Sequence, residues 1–249
     1  MRFKYPLPAL LLSLLLFSPA CDKGGDQAGD PDPAPITWPA PGSGNAPYVQ
    51  GNPRKYLALG DSYTIGEGVV VSDRWPVQLA DRLQTDGVPM QMPEFIAYTG
   101  WTTTNLMRAL SEIRPQGPYD MVSLLIGVNN QFQRKDPAIF TREFTDLLNI
   151  AIALAGDAKR VLVLSIPDYG ATPFGASRAI EIAQDIDRYN DLKAAICRDA
   201  GVTFIDITPV SREAKNDLSL LAWDLLHPSG KMYARWVDEA YPAALKMLE

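Results

Sequence analysis

Short apolar segments that recur along the chain constrain its fold more than any other feature of the sequence. Several end in Gly or Pro, and segments with helical periodicity separate them. Runs of this length with such boundaries are typical of strands buried on both faces of a parallel sheet. The predicted strands are KYLALG (55–60), EFIAYTG (94–100), DMVSLLIG (120–127), RVLVLSIP (160–167) and GVTFIDIT (201–208). The fold class is therefore α/β.

Apolar residues between these segments recur at three- and four-residue steps, which predicts helices that each pack one face on the sheet. The first stripe contains Phe140, Phe144, Leu147, Leu148, Ala151 and Ile152; the second contains Ala179, Ile182, Ile186, Tyr189 and Ile196, interrupted by Lys193; the third contains Met232, Trp236, Ala240 and Ala244. Right-handed crossovers then give a doubly wound, flavodoxin-like sheet of order 2-1-3-4-5. We expect helices on both faces, as in a three-layer α/β/α sandwich.

Polar residues follow the first three predicted strands. Open parallel sheets bind ligands beyond the carboxyl ends of their strands, near the point where the strand order reverses. In the predicted order, strands 1, 2 and 3 are neighbours at that point. Their ends carry Gly60-Asp61-Ser62, Thr99-Gly100-Trp101 and Gly127-Val128-Asn129-Asn130. We therefore expect these residues to share one site.

The candidate site and a single histidine provide the groups that acyl transfer needs. Ser62 is the candidate nucleophile. Its own N–H, the N–H of Gly100 and the side-chain amide of Asn129 are candidate donors to the oxyanion. The chain contains one histidine, His227, which is therefore the candidate base. Asp224, three residues earlier, could accept the Nδ1–H of His227 and orient the ring.

Each of these motifs also has a purely structural interpretation. Gly, Asp and Ser all form turns readily, and Asn129 could cap the helix that follows it. Asp224 and His227 could be a surface cap pair before the last helix. Their combination, with the motifs in order and at the ends of the expected strands, favours the catalytic interpretation.

Four motifs resemble, in order, the signature blocks of the SGNH/GDSL hydrolase (lipase/acylhydrolase) family. They are GDSYTIGEG (60–68), TGWTT (99–103), IGVNN (126–130) and WDLLH (223–227). The resemblance extends over essentially residues 54–249. It implies a three-layer α/β/α hydrolase that needs no cofactor. The family covers esters and thioesters such as lysophospholipids, short acyl esters and acetylated sugars, so the resemblance implies a carboxylic ester hydrolase of the esterase or lysophospholipase-like type.

The resemblance assigns the same roles to the same residues: nucleophile Ser62, oxyanion donors Gly100 and Asn129, and the remaining triad members Asp224 and His227. The chain departs from the family pattern at two positions. Asn130 stands where the family usually has an acid, which changes the local hydrogen bonding. Tyr63 follows the serine where Leu is frequent.

Aromatic residues near the predicted carboxyl-end loops are candidates for a substrate pocket, or belong to the core. They are Tyr63, Trp101, Phe132, Tyr169, Phe174 and Trp223. A long loop, PDYGATPFGASR (167–178), follows strand 4 and is of the kind that forms a pocket wall. The leading hypothesis is a serine esterase. Alternatives are a carbohydrate O-deacetylase of the same fold and a surface binding protein that lacks catalysis.

Composition narrows the possible partners. The formal net charge is -6, which argues against nucleic acid. No Cys or His cluster indicates a metal site, and apolar neighbours predict that Cys197 is buried. We expect a monomer that acts on a small acyl ester.

The first residues have the layout of an export signal. Two basic residues precede an apolar run from Leu7 to Phe17, and small residues precede Cys21. The run is shorter than the ~20 residues of a membrane span. SPAC (18–21) resembles a bacterial lipoprotein signal, although Ser18 replaces the usual leucine. We expect a signal peptide (1–20), a flexible Gly-, Pro- and Asp-rich linker (21–53) and a hydrolase domain (54–249). Lipidation of Cys21 is the preferred interpretation, and simple cleavage by a general signal peptidase is the alternative. The protein would be exported to the periplasm or cell surface and held to a membrane only by this anchor.

Overall fold

The computed structural model describes residues 52–249, which form a five-stranded parallel sheet between two layers of helices. The predicted signal peptide, Cys21 and almost all of the predicted linker lie outside the described residues. The hydrolase domain predicted from residue 54 is described in full.

All five predicted strands are present, each somewhat shorter than its apolar run. They are β1 (Tyr56–Gly60), β2 (Glu94–Ala97), β3 (Met121–Leu125), β4 (Val161–Leu164) and β5 (Thr203–Ile205). Every pairing is parallel and the order is β2-β1-β3-β4-β5, so the predicted topology is confirmed. Gly60 at the end of β1 pairs with Ala97 of β2 and Leu125 of β3. The carboxyl ends of these three strands are therefore level.

Helices cover both faces of the sheet, which confirms the three-layer α/β/α sandwich. They are α1 (Ser62–Ile65), α2 (Trp75–Thr85), α3 (Thr103–Ile113), α4 (Val128–Phe132), α5 (Pro137–Ala155), α6 (Ala179–Ala200), α7 (Thr208–Arg212) and α8 (Gly230–Leu248). Helix α5 packs between α3 and α6, and α2 packs against α8. Among residues 52–249, no helix combines the length and apolar character that crossing a membrane requires.

The predicted apolar stripes lie on the buried faces of α5, α6 and α8. In the sequence, Lys193 is a polar interruption of the α6 stripe. In the structure, its side chain is fully buried together with the stripe. Cys197, one turn later, is also buried, as predicted. Burial raises the pKa of its thiol to about 11, so the thiol is an unreactive part of the core.

Gly127, between β3 and α4, has a backbone that only glycine adopts easily. Its φ is 126°, and a Cβ built on it would lie 2.8 Å from Phe140 Cε2 and 2.9 Å from Ile166 Cδ1. The core therefore closes directly over this turn, which leads into the helix that carries Asn129.

We predict that Gly127→Ala destabilises the protein more than Gly87→Ala does. Gly87 also has a positive φ, of 92°, but its Cβ would meet no atom within 4 Å. Both variants bear backbone strain, and only Gly127→Ala adds overpacking, which costs about 1–3 kcal/mol. Urea unfolding of both variants measures the difference, and equal losses would contradict this account of the turn.

Candidate active site

Ser62 begins a single helical turn directly after β1. Asp61 caps that turn, since its Oδ1 accepts a hydrogen bond of 3.0 Å from the N–H of Tyr63. Gly66 ends the turn in the left-handed region, with φ 74°. Ser62 is mostly buried, and Asp61 is completely buried. Burial raises the pKa of Asp61 to about 7, although the nearby N–H groups and Lys193 act in the opposite direction.

Asp224 and His227 form a tight pair in the loop before α8. Asp224 Oδ2 lies 2.6 Å from His227 Nδ1, and its Oδ1 accepts the N–H groups of Leu226 and His227, each at 3.0 Å. Burial acts to raise the pKa of Asp224, but the hydrogen bonds from the His227 ring and from these two N–H groups outweigh it and lower the pKa. Asp224 therefore stays ionised and fixes the orientation of the imidazole through Nδ1.

The structural interpretation of this motif required Asp224 or His227 to cap α8, and neither residue does so. That role belongs to Ser229, whose Oγ accepts a hydrogen bond from the N–H of Met232. The Asp–His pair is instead held by the loop itself, in which the N–H of Ala222 donates to the carbonyl of His227 at 2.7 Å.

The serine turn and the histidine loop contact each other, although they are far apart in the sequence. The rings of Tyr63 and His227 are edge-on, with 5.7 Å between their centroids. Gly68 packs against the same loop, because a Cβ on it would lie 2.9 Å from Ala222 Cβ and 3.8 Å from Asp224 Oδ2. No hydrogen bond joins Ser62 to His227 among residues 52–249. The two segments meet through Tyr63 and Gly68.

Gly100 and Asn129 belong to adjoining segments at the ends of β2 and β3. The Nδ2 of Asn129 donates to the carbonyl of Trp101 at 3.0 Å. Gly100 has φ 84°, and a Cβ on it would meet open space. The helix-cap interpretation of Asn129 is wrong, because Gly127 is the N-cap of α4 and the amide bonds across to the neighbouring loop. An amide has two N–H donors, so one remains for another acceptor.

Asn130, at the position where the family usually has an acid, completes a buried hydrogen-bond chain. Its Oδ1 accepts from the N–H of Thr103 at 3.0 Å, and its Nδ2 donates to Thr103 Oγ1 at 2.7 Å. Thr103 Oγ1 in turn donates to Glu143 at 2.5 Å. The amide fits this position because it both accepts and donates, so the departure leaves the local hydrogen bonding satisfied.

The six aromatic residues predicted near the site divide into two groups. Tyr63, Trp101 and Tyr169 are buried, whereas Phe132, Phe174 and Trp223 are 52%, 56% and 81% exposed. Phe132, Tyr169 and Phe174 contact one another, with centroid distances of 6.1 to 6.3 Å. Phe132 lies one helical turn after Asn129 on α4, and Trp223 adjoins Asp224. Two of the exposed rings, Phe132 and Trp223, are thus close in the chain to candidate site residues.

Sequence reasoning did not assign a role to two buried charged residues close to the site, Asp61 and Lys193. Asp61 lies inside the serine motif, so its position was a usable signal. Lys193 lies far along the chain, and its only signal was that it interrupts an apolar stripe. In the described part of the chain, no three Asp, Glu, His or Cys side chains are grouped so that they could hold a metal ion.

We predict that Asn130→Asp lowers stability. The single hydroxyl hydrogen of Thr103 would be shared by two carboxylates, which leaves a buried group without its donor at a cost of about 1–3 kcal/mol or more. Thermal and urea unfolding measure the loss. Asn149→Asp, at an exposed position of α5, is the control and should change little. A second change, Glu143→Gln, should restore part of the loss; no restoration would contradict the proposed competition.

The fold and these residues define a class: an α/β/α hydrolase with a serine, an Asp–His pair and an amide donor at one edge of its sheet. A family model gives the narrower assignment. It matches residues 58–235, and the chain belongs to the GDSL-like lipase/acylhydrolase family. The match includes all five residues predicted to form the triad and the oxyanion hole.

Solved structures with the same fold include TesA and two proteins named as esterases, EstA and Axe2. TesA aligns with a TM-score of 0.62 at 17% identity, covering 78% of this chain and 99% of TesA. The psychrotrophic esterase EstA from Pseudoalteromonas sp. aligns with a TM-score of 0.61 at 18% identity, covering 78% and 98%. Axe2, an acetylxylan esterase from Geobacillus stearothermophilus, aligns with a TM-score of 0.55 at 17% identity, covering 78% and 94%. No curated protein sequence matches the chain. At these identities the structural matches show a shared fold.

Proposed function

We propose that the protein is a serine esterase that hydrolyses small acyl esters, as a monomer and without a cofactor. The observation that carries the proposal is the meeting of the Ser62 turn with the loop that holds the Asp224–His227 pair. Family membership supports hydrolysis, and the hydrogen bond between Asp224 and Nδ1 of His227, which leaves Nε2 to accept a proton, supports the use of His227 as a base.

In the first half of the reaction, Ser62 Oγ attacks the carbonyl carbon of the ester while His227 Nε2 takes the hydroxyl proton. Asp224, fixed at Nδ1, stabilises the imidazolium that forms. The carbonyl oxygen becomes negative and accepts hydrogen bonds from the N–H of Ser62, the N–H of Gly100 and the free donor of Asn129. The intermediate then expels the alcohol, which receives its proton from His227, and leaves an acyl-serine.

In the second half, His227 takes a proton from water, and the resulting hydroxide oxygen bonds to the acyl carbon. The same three donors hold the second tetrahedral intermediate. Its collapse breaks the bond to Ser62 Oγ, which regains its proton from His227. The acid is released and the enzyme returns to its starting state.

We predict that Ser62→Ala abolishes hydrolysis of p-nitrophenyl acetate and butyrate and abolishes labelling by a fluorophosphonate probe. Both signals require an activated serine hydroxyl, and the small substitution leaves the fold intact. An unlabelled, inactive wild-type protein with a normal melting curve would favour the non-catalytic binding protein instead.

Asn129→Ala should lower kcat by about 10²–10³-fold, the usual effect of removing one oxyanion donor. The bond to the Trp101 carbonyl is lost as well, so Tm is measured in parallel. Asn149→Ala, at an exposed site, serves as the control. A normal kcat in Asn129→Ala would remove this residue from the oxyanion hole.

A carbohydrate O-deacetylase is the second candidate, and the exposed rings are suited to its substrate. Phe132, Phe174 and Trp223 present aromatic faces to solvent beside the candidate site, and such faces stack on sugar rings as well as on acyl chains. Axe2, an acetylxylan esterase, shares the fold. An O-deacetylase would release acetate from acetylated oligosaccharides and act poorly on longer acyl chains.

The double variant Phe132→Ala, Phe174→Ala distinguishes the two substrates. If the rings bind sugar, the variant should raise KM for acetylated xylo-oligosaccharides and leave p-nitrophenyl acetate hydrolysis near the wild-type value. If they bind acyl chains, KM should rise with chain length from acetate to octanoate. Ile180→Ala, an exposed apolar residue on α6, is the control. Wild-type kinetics on every substrate would exclude these rings from substrate binding.

We also propose that the protein is exported and tethered to a membrane by lipid on Cys21. The small residues before Cys21 and the long Gly-, Pro- and Asp-rich segment after it support the proposal. In the native host, the wild-type protein should incorporate a fatty-acid analogue and partition into detergent, and Cys21→Ser should do neither. An exported wild-type protein without the label would contradict the anchor.

A further inference from the structure

Behind the candidate site, the core contains a charged side chain to which the proposed reaction gives no role. Lys193 lies on α6, and none of its side chain is exposed. Its ammonium donates to the carbonyls of Ile126, at 3.2 Å, and Leu164, at 2.8 Å, and lies 5.4 Å from the centroid of the Phe144 ring. These groups replace part of the hydration of the ammonium. They do not neutralise its charge.

Asp61 is a second fully buried ionisable side chain near the candidate site. Its Oδ1 accepts from the Tyr63 N–H, whereas its Oδ2 is buried with no hydrogen-bond partner among the described residues. A carboxylate in this setting needs an opposite charge to remain stable. The charge of Lys193 acts to lower the pKa of Asp61, and that of Asp61 acts to raise the pKa of Lys193, so each stabilises the charged form of the other.

Lys193 acts on two segments of the candidate site, through its charge on Asp61 and through its hydrogen bond to Ile126. Asp61 caps the turn that starts with Ser62. Ile126 comes directly before Gly127, the N-cap of α4, and α4 carries Asn129. A single buried ammonium therefore interacts with the segment that presents the nucleophile and with the segment that presents an oxyanion donor.

We propose that Lys193 is a positioning residue for the hydrolytic reaction: by neutralising Asp61 and holding the carbonyl of Ile126, it fixes Ser62 relative to Asn129. It touches neither the substrate nor the reacting atoms, and the inference rests on the function proposed above for those two residues. A small displacement between a nucleophile and an oxyanion donor reduces the stabilisation of the transition state more than it reduces substrate binding. Loss of Lys193 should therefore lower kcat and leave KM almost unchanged.

The first test is Lys193→Met, which keeps the length and apolar stem of the side chain and removes the charge. With p-nitrophenyl acetate, well below the Tm of the variant, we expect kcat to fall by about 10–100-fold with little change in KM. Lys246→Met, at an exposed position near the end of α8, is the matched control and should retain wild-type kinetics. A residue that only supports folding would lower Tm and leave kcat of the folded protein unchanged.

The second test removes the partner charge. Asp61→Asn and Lys193→Met each leave one buried charge uncompensated, whereas the double variant leaves none. We expect the double variant to have a higher Tm and a higher kcat than Lys193→Met, because the lone carboxylate is gone. If the losses of Tm and kcat in the two single variants simply add in the double variant, the proposed interaction between Asp61 and Lys193 is overturned. If Lys193→Met does not fold, a folded double variant supports the inference and an unfolded one overturns it.

The two proposals fail in different ways. A wild-type protein without esterase activity would overturn the proposed function and this inference together. An active wild-type enzyme that depends on Ser62, alongside a Lys193→Met variant with normal kcat, would overturn the inference alone.

Discussion

The level carboxyl ends of β1, β2 and β3 are the constraint on which the candidate site depends. Gly60 pairs with Ala97 on one side and Leu125 on the other, so the chain leaves all three strands at the same height. The segments that follow are then close enough for Asn129 to bond to the carbonyl of Trp101. A shift of one residue in either pairing would move one segment by about 3.3 Å and separate these groups.

The second half of the site comes from the other end of the domain and depends on local geometry. His227 follows Asp224 by three positions, and the loop folds so that one carboxylate bonds both the ring and the backbone. Tyr63 then joins this loop to the serine turn and also packs on Trp236 of α8. The family pattern often has Leu at this position; the larger ring here bridges the two halves of the site.

Several buried polar side chains lie close to the candidate site. Apolar side chains in their place would cost less free energy to bury. Asp61, Lys193 and Asn130 are each almost completely buried, and each is near a segment with a proposed catalytic role. Such groups cost free energy of folding unless they are paired, and proteins retain them where function requires a fixed geometry. Their clustering next to Ser62 and Asn129 is consistent with that requirement.

The sequence by itself determined the architecture and the identity of the candidate residues. Apolar runs and helical stripes are local patterns, so they located all five strands and the long helices α5, α6 and α8, and crossover handedness then gave the strand order. A single histidine limited the choice of base. Only the tertiary structure decided which residues interact. Lys193 broke an apolar pattern and was taken as an interruption, because periodicity does not show whether a buried cation has a partner. The sequence also did not show the hydrogen-bond partners of Asn130 or which aromatic residues are buried. Both depend on contacts between segments far apart in the chain.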